Sequence, residues 1–231
     1  MRQAFVLSSA LVLMSAIAAA ADLSSAESRR LSEAANVVRE FKAAPDKGIP
    51  EDLWRRAECV TIIPNLKKAA FGIGGEYGKG VMSCRNGVAW SAPVFIELEK
   101  GSAGFQIGGE QIDLVLLMMN REGVDTLLSD KVNLGGDASV AAGPVGRTAS
   151  AGTDLQLKAG ILAYSRSEGA FAGIDVSGGV LHPDKTANRG AYGASVGVRD
   201  VLFGGKVAVP PPARALVRTL ADETRATTGR K

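Results

Sequence analysis

The sequence predicts an α+β domain, mostly β, in which a strongly curved antiparallel sheet or barrel-like sandwich is flanked by peripheral N-terminal and C-terminal helices. Three observations lead there. A β-branched, aromatic, glycine-punctuated stretch runs from Cys59 to about Met119, and the clearest helical periodicity lies near the two ends. The 28 glycines among 231 residues fall inside strand-like segments as well as between them. Glycine within a strand marks a bulge, a bend or a close backbone approach, which a curved sheet accommodates best. A doubly wound α/β domain fits less well, because full-length helices do not alternate with the strands.

Residues 1–20 read as a signal peptide. Arg2 supplies the positive start, Val6 to Ala20 is apolar but too short to span a bilayer, and the alanines ending at Ala20 or Ala21 supply a small-residue cleavage site before Asp22. The expectation is an exported, soluble chain with one domain over residues 21–222 and a flexible polar tail over 223–231. After Ser24-Ser25, Leu31, Ala34, Ala35, Val38 and Phe41 recur at helical spacing until Pro45 and Gly48 end the pattern. Pro50 opens a short second helix through Trp54, with Glu51 and Asp52 in its first turn.

Strands are predicted at residues 59–63, 80–84, 89–97 and 105–119, with Asn86-Gly87 as a hairpin turn. Asn120 caps a small predicted helix through Leu128. Further strands are predicted at residues 138–142, 154–164, 170–177 and 192–198. Pro210-Pro211-Pro212 then starts a last helix carrying Leu216, Val217 and Leu220.

The 27 basic and 24 acidic residues nearly balance, so no global field points to nucleic acid. Cys59 and Cys84 form an even pair, and in an oxidising compartment a disulfide is expected, with two buried free thiols as the rival. The single histidine, His182, sits in a Pro/Asp-containing turn. Two cysteines and one histidine do not complete a zinc site without carboxylates, so no metal is expected.

Gly193-Ala194-Ser195-Val196-Gly197 matches a nucleophile-elbow pattern, but strand-like residues follow Ser195 and the histidine precedes it, in the wrong order for that fold. A hydrolase built on Ser195 remains a remote alternative. The run from Gly72 to Gly80 looks like a phosphate loop and fails in spacing, since five residues separate Gly72 from Gly78 and Gly80 replaces the Ser/Thr. No cofactor motif is left. What remains is curved backbone carrying Lys67, Lys68 and Lys79, whose side chains and amides suit an anionic headgroup.

The segment from Ile63-Pro64-Asn65-Leu66-Lys67-Lys68 to Gly78-Lys79-Gly80 resembles the opening motif of the SYLF domain, also called the Ysc84 actin-binding domain. Trp90-Ser91-Ala92-Pro93, Gly104 to Gly108, Met119 to Val124 and Tyr164 to Gly173 follow in the family's order. The resemblance implies non-enzymatic lipid binding, with phosphoinositides as ligands of eukaryotic members and actin filaments as partners of some fungal ones. It assigns headgroup contact to Arg29, Arg30, Arg39 and Lys42 on the first helix and to Lys67, Lys68 and Lys79, with Arg166 in a later motif. Taken with the export signal and the lack of an SH3 or FYVE domain, the expectation is a bacterial, periplasmic member. Such a member would bind phosphatidylglycerol, cardiolipin or lipopolysaccharide phosphates, or alternatively an envelope protein, with no nucleic acid and no actin partner.

Overall fold

A computed structural model describes residues 23–225 apart from 45–46, 72, 104–107, 122–123, 127–130 and 147–158. The predicted signal segment and the end of the tail therefore lie outside the described residues. Helix α1 (Ser25–Ala43) starts at a capping box in which Ser24 and Glu27 exchange side-chain-to-backbone hydrogen bonds. Helix α2 (Glu51–Arg56) follows Pro50.

Two long strands, β1 (Cys59–Phe71) and β2 (Ile73–Asn86), are followed by β3 (Ala89–Trp90), β4 (Val94–Ala103), β5 (Gly108–Met118), β6 (Val132–Asn133), β7 (Val140–Ala142), β8 (Ile161–Ser167), β9 (Ala170–Gly173) and β10 (Val180–Pro183). Helices α3 (Lys185–Tyr192), α4 (Val198–Phe203) and α5 (Arg214–Arg225) complete the described chain, α5 being preceded by a 3-10 turn at Pro211–Ala213. The sheet runs β6-β10-β4-β2-β1-β5-β8-β7, with β3 beside β2 and β9 beside β8. Among the described strand pairs, β7–β8 is the parallel one. The predicted curved, mostly antiparallel sheet with peripheral terminal helices is thus borne out.

Both faces of the sheet are buried. On one, Val60, Ile62, Val81, Phe95, Val115, Leu117 and Tyr164 pack under Leu31, Val38 and Phe41 of α1, Trp54 of α2, and Leu216 and Leu220 of α5. On the other, Ile63, Met82, Ile96, Leu98, Leu114 and Leu116 pack with Leu181, Val201 and Leu202. Cys59 and Cys84 face each other in the β1–β2 register on this second face and form a disulfide with S–S 2.03 Å. The two cysteines are separated by 25 residues, and in the chain-entropy model closing such a loop contributes on the order of 3 kcal/mol.

Gly78 and Gly80 serve packing. A Cβ at Gly80 would lie 2.2 Å from the Ile62 carbonyl oxygen, and one at Gly78 would lie 2.5 Å from the Ile63 side chain. The segment predicted as flexible or tightly curved backbone is, from Ile73 on, a paired strand.

Strand β1 carries one extra residue at Pro64-Asn65. Its register shifts by one against β2 between Ile62 and Lys67, and against β5 between Ile63 and Leu66. Asn65 is left-handed there, with φ 52°, and its amide donates to Asp113 Oδ1 at 3.0 Å. Arg166 Nε donates to Asp113 Oδ2 at 3.1 Å and the guanidinium also pairs with Glu40 of α1, so one carboxylate holds the bulge, β8 and, through Arg166, α1.

Sequence and structure part at the C-terminal third. The segment 192–198, read as a strand, instead joins α3 to α4. Asp184 caps α3 by accepting from the Ala187 amide, and Gly193, at φ 86°, ends it. His182-Pro183, read as turn, are the last residues of β10. Helix α5 runs to Arg225, two residues beyond Glu223 where the tail was placed. Only residues 124–126 of the helix predicted after Asn120 are described as helical.

Two measurements follow from the glycine contacts and the bulge. Gly80→Ala is expected to lower stability by about 1–3 kcal/mol through overpacking, while Gly101→Ala, where a Cβ meets open space, stays within about 0.5 kcal/mol; urea denaturation distinguishes them, and equal effects would refute the packing account. Asp113→Ala strips the bulge amide and Arg166 of a shared acceptor, and is expected to cost about 2–3 kcal/mol in the same assay. A loss under about 0.5 kcal/mol would mean that other contacts hold the bulge.

Candidate functional site

Side chains alternate between the faces of a strand, so a one-residue bulge exchanges them. Before the bulge, even residues of β1 such as Ile62 face the helices. Beyond it, Lys67 does, opposite Tyr77 of β2, which in turn is opposite Glu99 of β4. One row over, Lys79 is opposite Glu97, and Glu97 is opposite His182 of β10. A polar band therefore crosses the helix-side face beside the first half of α1.

Within this band Asp184 is the hub. It is buried, and its Oδ2 accepts from Arg30 at 3.2 Å and Lys79 at 3.1 Å while Oδ1 accepts from Ala187. Burial pushes its carboxyl up, but the Ala187 amide and the Lys79 and Arg30 cations outweigh that and hold it below the usual carboxylate range. The Glu97 carboxylate holds the Lys79 ammonium above its usual range against burial, with Asp184 adding to the effect. The Arg30 guanidinium also lies 5.3 Å from the centre of the Phe95 ring.

A groove of about 340 Å³ opens between α1 and the β1–β2 hairpin, lined by Arg29, Arg30, Lys67, Tyr77, Lys79 and, as its acid, Glu33. Arg29, with 74% of its side chain exposed, makes only a 3.9 Å contact to Glu33. Lys67 is exposed and makes no ion pair among the described residues. These two are available to a ligand, whereas Arg30 and Lys79 are already engaged.

The remaining expected cations do not converge here. Lys68 follows Lys67 and so faces the other side of the sheet, opposite Glu76 and Glu110. Arg39 bonds to Asn36 about 15 Å further along α1 by helix rise, and Lys42 donates to the Thr219 carbonyl of α5. Arg166 supports the bulge. Sequence reasoning gave no site role to Asn65 and Tyr77, though both lie in the family's opening motif, or to Asp184, which it read only as part of a turn; register brings them in.

Ser195 lies in the exposed turn between α3 and α4, so the elbow geometry required for a nucleophile is not present. No helix among the described residues is long and apolar enough to cross a membrane.

The model of the family described as "Ysc84: Las17-binding protein actin regulator" matches residues 99–223. Protein YSC84 of Saccharomyces cerevisiae is 36% identical over 203 residues, covering 84% of this chain and 42% of that protein. LAS seventeen-binding protein 3 of the same yeast is 36% identical over 185 residues, covering 78% and 39%. Human SH3 domain-containing YSC84-like protein 1 is 34% identical over 191 residues, covering 79% and 54%. The chain thus spans roughly half or less of the length of these relatives.

These matches correct two expectations. Relatives from yeast and mammals, in a family described by actin regulation, overturn the reading of a bacterial, exported, periplasmic protein. The same description overturns the exclusion of actin as a partner. This chain belongs to the Ysc84 family, the SYLF-domain proteins.

Proposed function

We propose that this chain binds anionic lipid headgroups, phosphoinositides among them, reversibly in the groove between α1 and the β1–β2 hairpin. The observation that carries the reading is Lys67: exposed, without an ion pair among the described residues, and turned by the bulge into a groove that it shares with Arg29. Cations near a charged membrane surface contribute roughly 1 kcal/mol each. Arg30 and Lys79, held in place by Asp184 and compensated by it and Glu97, offer donors on the wall that need no ordering on binding. The apolar stripe of α1 is buried against the sheet, so attraction by this folded domain is electrostatic and screened by salt.

The family description favours a second reading, a link to the actin cytoskeleton. The name of LAS seventeen-binding protein 3 carries the same partner, and the match covers 39% of that protein.

Co-sedimentation with vesicles containing phosphoinositide or phosphatidylserine, against phosphatidylcholine alone, checks the first reading. Binding is expected only to the anionic vesicles and is expected to fall steeply with salt. Lys67→Glu swaps an attraction for a repulsion and should weaken it about tenfold, whereas Lys68→Glu, on the opposite face, should change it less than threefold. Equal effects of the two variants, or salt-insensitive binding, would remove the groove from the account. Sedimentation with actin filaments in place of vesicles tests the second.

A further inference from the structure

His182, left unused by the groove, does not stand alone in the fold. Strand β10 runs antiparallel to β4, so His182 lies beside Glu97, and Glu99 is two residues along β4 on the same face. The imidazole lies between the two carboxylates, with Nδ1 3.8 Å from Glu97 Oε2 and Nε2 3.7 Å from Glu99 Oε1. One donor atom from each of the three lies within 4.8 Å of the other two.

Those separations are too long for hydrogen bonds, which need about 2.7–3.2 Å. One ion takes a single imidazole nitrogen, and the three donor atoms, within 4.8 Å of one another, have to close to the roughly 3.3–3.5 Å that separates ligands standing about 2.0–2.2 Å from a tetrahedral ion. We propose that Glu97, Glu99 and His182 form a binding site for a divalent transition-metal ion of the Zn²⁺ type.

The surroundings support the assignment. Glu97 divides its work: Oε1 accepts from Tyr77 and pairs with Lys79, while Oε2 faces the imidazole. The carboxylate is thus anchored in place with one oxygen to spare. Glu99, with 60% of its side chain exposed, has no ion-pair partner other than His182 among the described residues and is free to swing toward the nitrogen that faces Glu97.

An imidazole with two carboxylates is a borderline donor set, better suited to Zn²⁺ than to Mg²⁺ or Ca²⁺, which prefer oxygen alone. The three side chains leave a fourth position for water. It has room, because Glu97 and His182 also line a cleft of about 560 Å³.

The sequence could not reveal this. His182 is separated from Glu97 by 85 positions, and only the β4–β10 register joins them.

The composition makes the test clean, since His182 is the only histidine and both cysteines are in the disulfide. Untagged protein titrated with ZnCl₂ in a calorimeter is expected to take up about one ion per chain and to show a raised melting temperature. His182→Ala should weaken uptake at least about tenfold, as should Glu99→Gln at its exposed position, where folding is undisturbed. Magnesium at the same concentration should produce no shift. Absence of stoichiometric zinc uptake, unchanged affinity in both variants, or an equal response to magnesium would overturn the site.

Discussion

A single extra residue in β1 is what the rest of the helix-side surface depends on. At Pro64-Asn65 the strand changes phase, and the left-handed Asn65 amide is held by Asp113, which also receives Arg166. Without that phase change, Lys67 would face the apolar side where Leu66 now packs, and the residues taking its place would not meet Tyr77 across the strand pair. The bulge is therefore structural and functional at once. It closes two hydrophobic faces on one side of Asn65 and opens a polar one on the other.

The polar band is possible because its charges are mostly compensated. Asp184 receives two cations and an amide, and Glu97 pairs with Lys79, so few charges are desolvated without a partner. Asn188 performs a related task at the end of β10. Its side chain accepts from the Phe95 amide at 2.8 Å and donates to the Phe95 carbonyl at 2.7 Å, replacing the ladder bonds that β10 no longer supplies. Against this satisfied background, Lys67 and Arg29 stand out as charges with little intramolecular work.

Helix α1 shows how the same pattern supports two readings. An amphipathic stripe with basic flanks is what a membrane-surface helix requires, and also what a core-packing helix requires. Here Leu31, Val38 and Phe41 are between 0 and 1% exposed, and burying each contributes about 1.5–3 kcal/mol to the fold. Releasing the helix to a bilayer would forfeit that packing, so in the folded domain its basic side chains contribute to binding through the groove they line.

Much of the fold was legible beforehand. The terminal helices, the strand-rich middle of the chain and the curvature followed from periodicity and from glycine placed inside strands, because those are local consequences of backbone sterics and side-chain alternation, whereas the glycine-rich continuation of β1 and β2 was not read as strand. The two short helices after Asp184 were not legible. Their residues are rich in glycine and small side chains, and what makes α3 a helix is a cap and a buried face supplied by β4. The family was legible from motifs in order, while the bacterial, exported placing drawn with it was overturned by the yeast and mammalian relatives.

Which lysines meet was decided only in three dimensions. Lys67 and Lys68 are neighbours in the chain and lie on opposite faces of the sheet, while Lys67 and Arg29 are 38 positions apart and share a groove. The sequence by itself determined the terminal helices, the strand-rich curved middle, the family and the pool of candidate charges. Register, a single bulge and the pairing of β4 with β10 decided which of those charges converge, because contacts across a sheet depend on phase between distant strands and not on spacing along the chain.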